Sequence, residues 1–96
     1  MKTRTRAEVW STIVAVLTDL LEEQGSEPGT VTPQTMLNAD LGLASVDAIH
    51  LMIMLEDRFE TPLNFEALAV RDGEYVQDLA LGELFEFVAT SVGAAG

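Results

Sequence analysis

Cysteine is absent from this 96-residue chain, histidine occurs once, and 5 Lys or Arg face 16 Asp or Glu. Without cysteine there are no disulfides, thiolate metal sites or cysteine nucleophiles. A single histidine excludes sites built from two imidazoles. The formal charge of −11 argues against nucleic acid and anionic membranes as partners, since both call for a basic face. No apolar run approaches the roughly 18 residues that a membrane span needs. The basic start at Lys2, Arg4 and Arg6, followed by an apolar stretch from Trp10, has the outline of a signal peptide. Asp19 interrupts that stretch, helical periodicity continues past it, and no small-residue cleavage site follows. A cytoplasmic location is therefore expected.

What is present is too apolar for disorder, with 48% hydrophobic residues at 22% charged, and its length suits one domain. The expected division is a basic leader over 1–6, a folded domain over 7–92 and a short tail over 93–96. At 100° per residue, a helix over about 7–24 gathers Val9, Ile13, Val16, Leu17 and Leu20 on one face, and Gly25 closes it. Trp10 is expected as a packing anchor at the edge of that helix. A long loop follows to Leu43, within which Thr32 and Pro33 are placed to cap and start a single helical turn. A last helix over about 80–92 puts Leu81, Leu84, Phe85, Val88 and Val92 together. Between them, Thr61-Pro62 ends a second helix, Asn64 caps a short one over about 64–70, and Asp72-Gly73 makes a turn. The fold class that results is all-α. It is a small four-helix bundle, three longer helices and one short, with the long loop between helices one and two.

The second helix, over about 45–60, carries more apolar surface than attachment to a core requires. Ala48, Leu51, Met52, Leu55 and Phe59 occupy one arc of about 100°. Ser45, Val46, Ile49, Ile53, Glu56 and Glu60 occupy another. Asp47, His50, Asp57 and Arg58 take the third. The second apolar arc starts at a serine and ends in acids. That is an unusual face for a helix with only a structural role.

The run Asp40-Leu41-Gly42-Leu43-Ala44-Ser45-Val46-Asp47 resembles the modification site of acyl carrier proteins, whose pattern is an Asp-Leu-Gly run leading to Asp-Ser-Leu at the start of the second helix. Downstream, Leu51-Met52-Ile53-Met54-Leu55-Glu56-Asp57-Arg58-Phe59 is similar to that family's Leu-rich helix ending in Leu-Glu-(acidic)-x-Phe. The resemblance implies that Ser45 carries 4′-phosphopantetheine, transferred from coenzyme A by a phosphopantetheinyl transferase. The thiol of that arm would hold acyl groups as thioesters, so the sulfur chemistry missing from the chain would come with the cofactor. It also implies a non-catalytic protein that needs no metal and serves acyl-loading, synthase and tailoring enzymes through their basic patches. The partner face it implies comprises Asp40, Leu43, Ala44, Val46, Asp47, Ile49, His50, Ile53 and Glu56. The initial Met and the full helix set point to a free-standing carrier.

The chain departs from the family pattern at two positions. Ala44 stands where an Asp is expected before the serine, and His50 stands where an acid is common on the second helix. Both thin the negative charge beside Ser45, which points to polyketide, fatty-acid-like or related natural-product assembly. A peptidyl or aminoacyl carrier is the alternative within the family, but Leu43 occupies the place where those usually have a second glycine. An alternative of another class is an acidic helical adaptor that keeps the fold and is never modified.

Overall fold

A computed structural model describes residues 5–25, 29, 31–64, 70–71, 74–75 and 78–94, with the backbone alone at 45, 70–71 and 74–75. Among the described residues there are three helices: α1 (Arg6–Glu23), α2 (Ser45–Phe59) and α3 (Leu81–Ser91). One minimal antiparallel pair, β1 (Val70–Arg71) with β2 (Glu74–Tyr75), aligns Val70 with Tyr75 and Arg71 with Glu74. The short helix expected over 64–70 lies at residues 65–69 outside the described residues, and at Val70 the chain is already extended. The Asp72-Gly73 turn also lies outside them. No helix in the described residues is long and apolar enough to cross a membrane.

The amphipathic faces meet as their periodicity predicts. Val9, Ile13, Val16, Leu17, Leu20 and Leu21 are buried along α1, which packs against both α2 and α3. From α2 come Leu51, Met52, Leu55 and Phe59, and from α3 Leu81, Leu84, Val88 and Ala89. Leu37, Leu43 and Leu63, from the connections, complete the same cluster. Burial of this kind is worth about 1.5–3 kcal/mol per large aliphatic side chain, so the three faces together dominate the stability.

Residues next to both expected boundaries take part in helix ends. Arg6, expected in a frayed leader, is the first residue of α1, and Thr5 caps the helix by accepting from the Glu8 N–H. The Arg6 guanidinium lies 4.8 Å from the centre of the Phe85 ring and pairs with Glu86. Trp10 meets the same ring edge to face, with centroids 5.7 Å apart. This cluster seals one end of the α1–α3 seam by aromatic and cation–π contact. At the other end, Gly93 and Ala94 belong to the close of α3, where the Ala94 N–H donates to the Ala89 carbonyl at 2.9 Å.

The loop before α2 rests on the start of α3. Leu37 N–H donates to Leu79 O, Leu81 N–H to Thr35 O and Gly82 N–H to Pro33 O, all at 2.8–2.9 Å. The Thr32–Thr35 turn forms as expected: the Thr32 hydroxyl accepts from Gln34, and the Thr35 hydroxyl accepts from the Thr32 N–H. Contact is so close that a Cβ at Gly82 would stand 2.9 Å from the Pro33 carbonyl oxygen.

Two kinds of substitution test this packing by urea denaturation. Leu55→Ala removes a fully buried side chain and is expected to cost about 2–5 kcal/mol, whereas Ile53→Ala, on the exposed arc, stays within about 0.5 kcal/mol. Gly82→Ala, which raises helix propensity, is expected instead to destabilise by about 1–3 kcal/mol because the Pro33 backbone must move.

Candidate functional site

Ser45 is the first residue of α2. The chain reaches it through a loop whose backbone N–H groups from Met36 to Leu43 are all engaged. Asp40 N–H and Leu41 N–H both donate to the Met36 carbonyl, Gly42 N–H to Asn38 O and Leu43 N–H to Leu37 O. The Asn38 side-chain amide closes the loop by donating to Leu43 O at 2.9 Å. Gly42 sits at φ +70°, a conformation that side chains rarely adopt, and so lets the loop turn directly into α2.

Carboxylates supply the acceptors that this loop lacks. Asp40 takes the Met36 N–H at 2.7 Å. Asp78, ahead of α3, takes three: Asn38 at 2.8 Å, Ala39 at 3.0 Å and its neighbour Leu79 at 2.8 Å. The Asn38 N–H is the strongest influence on the Asp78 carboxyl and holds it below the ordinary aspartate range; partial desolvation opposes it, and Leu79 and Ala39 add to the lowering.

At the junction, the backbone of Ala44 is extended, and its methyl group offers no side-chain acceptor to the first turn of α2. Asp47 reaches back from that turn instead, accepting from the Ala44 N–H at 3.0 Å. Its other oxygen accepts from the Gln24 side chain at 2.8 Å, tying the end of α1 to the start of α2. The exposed surface next to this junction is apolar. Val46 is 69% exposed, Ile49 46% and Ile53 52%, and His50 is exposed beside them. Glu56 turns its carboxylate toward the end of the helix, where it accepts from the Leu63 N–H at 2.8 Å. The helix closes there with Glu60 in the left-handed region at φ 51°, and its N–H and that of Thr61 both donate to the Glu56 carbonyl.

The residues expected on one partner face thus divide. Val46, Ile49, His50 and Ile53 lie together on exposed surface, with Ala44 also exposed at their head. Leu43 does not join them, because it is 2% exposed and packs in the core. Asp40, Asp47 and Glu56 each have a carboxylate oxygen committed to a backbone N–H of their own chain. The sequence reading passed over Asp78, Gln24 and Asn38. Asp78 does carry a signal, an acid shortly before an apolar helix, but that reads as a helix cap. In the structure the cap position is Ala80, and Asp78 turns to the loop. Gln24 and Asn38 carry no local signal.

An anion at the start of α2 would meet main-chain N–H groups that no N-cap side chain occupies, with the Asp47 carboxylate as the opposing charge. Among the described residues, no group of three or more His, Asp or Glu side chains is arranged to hold a metal ion. No family model, curated protein or solved structure matches the chain.

The Asp78 contacts predict an acid transition local to the loop. Because binding to backbone amides lowers the folded-state pKa of Asp78, its contribution to stability is fully present above the ordinary aspartate range and is lost as pH falls through the lowered folded value. The Asn38 and Ala39 amide resonances are expected to titrate together in NMR spectra, with a midpoint below the ordinary aspartate value. A midpoint at or above that value would contradict the assignment.

Proposed function

We propose that the chain is an acyl carrier protein that takes 4′-phosphopantetheine on Ser45 and presents acyl groups to separate enzymes, the chain itself being non-catalytic. The observation that carries this reading is the junction at Ser45. A serine opens a helix at the exit of a well-braced loop, and an exposed apolar stripe runs down the helix from that point. A core-forming helix has no use for Val46, Ile49 and Ile53 on its solvent side, whereas a protein handled by a series of enzymes does.

The residues at the junction suit the group. Attachment joins the Ser45 oxygen to phosphorus and releases adenosine 3′,5′-bisphosphate from coenzyme A. The phosphate oxygens would lie near first-turn amides left without an N-cap side chain by Ala44. When bound, the arm supplies a thiol able to carry acyl groups as thioesters. Val46, Ile49 and Ile53 would offer partners apolar contact beside the attachment point. The net charge of −11 would speed encounter with the basic patches of a phosphopantetheinyl transferase and of acyl-loading, synthase and tailoring enzymes. The departures at Ala44 and His50 favour a specialised polyketide, fatty-acid-like or related natural-product pathway.

Ala44 also supports a second reading, an acidic helical adaptor that is never modified, since the acid expected before the serine is missing. Intact mass spectrometry separates the two. Incubated with coenzyme A, Mg²⁺ and a broad-specificity phosphopantetheinyl transferase, the wild-type chain is expected to gain the mass of one phosphopantetheine, and Ser45→Ala none. An unchanged wild-type mass, or a gain that persists in Ser45→Ala, overturns the carrier reading.

A further inference from the structure

Asp78 lies outside the junction, beyond α2 in sequence, yet its carboxylate holds the loop that leads into Ser45. Both of its oxygens are used, one on the Asn38 N–H and the other on the Ala39 N–H. The chain of contacts continues from there. The Asn38 carbonyl accepts from Gly42, the Asn38 side chain donates to Leu43 O, and Leu43 N–H returns to Leu37 O. Leu37 is itself bonded to Leu79, the residue after Asp78. Gly42 and Leu43 are the last loop residues before the Ala44 cap, so whatever sets Asn38 also sets the approach to α2.

We propose that Asp78 is a positioning residue for the Ser45 segment, a long-range clamp that holds the 36–43 loop and, through Asn38, the backbone at Gly42 and Leu43. In its role toward modification this rests on the carrier reading; in its role toward the backbone it does not. No other described side chain takes more than one main-chain amide of this loop, and charge-assisted bonds of this kind are the stronger class. Asp78→Asn keeps the shape but turns an N–H₂ group toward one of the two amides, leaving at most one of them satisfied. The loop would then populate its bound form only part of the time. A transferase that reads that form would see a raised KM with kcat retained, because apparent affinity falls with the fraction of competent molecules.

The test uses the full chain as wild type, Asp78→Asn and Asp78→Ser, the last keeping a single acceptor oxygen should the amide variant fold poorly. In hydrogen–deuterium exchange read by NMR, both variants are expected to lose protection by about tenfold or more at Asn38, Ala39, Gly42 and Leu43, while Ile13, Leu17 and Val88 hold theirs. In the coenzyme A assay the KM of the variants for the transferase rises several-fold at constant kcat. The proposal is overturned by variants that keep wild-type protection at Gly42 and Leu43, including those that loosen only Leu81 to Leu84 at the start of α3. It is also overturned, in its role toward modification, by variants that lose loop protection with no change in KM. A wild-type chain that gains no mass removes the carrier reading instead, and the exchange result decides the clamp without it.

Discussion

A connection without regular structure must still satisfy its backbone amides, and in this protein carboxylates take up much of that task. Asp40, Asp47, Glu56 and Asp78 each accept from at least one main-chain N–H in or next to the turns around α2. An unpaired amide in a partly buried loop costs about as much as a lost hydrogen bond, and an ionised acceptor forms the stronger kind of bond. The helices could pack without these contacts, but the segments that determine where α2 begins and how it ends could not keep their shape. The excess of acids therefore has two uses that composition cannot separate. Some acids also brace the chain, and all of them contribute to its outer field.

This division changes how the start of α2 reads as a surface. Negative charge near Ser45 is present, but the carboxylates of Asp40 and Asp47 are engaged by Met36, Ala44 and Gln24. What faces outward is aliphatic, with one imidazole among it. On the carrier reading proposed above, a visiting enzyme would be drawn by the field of the whole molecule and held by contact with Val46, Ile49 and Ile53. That combination favours quick arrival and ready departure.

The helices were legible because helical periodicity is a local property. The inward faces of α1, α2 and α3 contain the residues that a 100° wheel selects, and the exposed arc of α2 was separable from its buried arc on the same grounds. The loop was less so. Thr32-Pro33 announced its turn through capping chemistry, but the seating of Pro33 on Gly82 depends on residues far apart in the chain. Leu43 shows the limit most clearly. Its place in a motif suggested surface, whereas the hydrogen bonds of Leu37 and Asn38 rotate it into the core. Asp78 could not be assigned from its neighbours, because its partners lie on another segment.

The aromatic end of the α1–α3 seam gives the molecule an optical asymmetry. Its single tryptophan stands against Phe85 and beside the Arg6–Glu86 pair, on the two helices that do not contain Ser45. Indole emission is therefore placed to register whether α1 and α3 remain joined at that end.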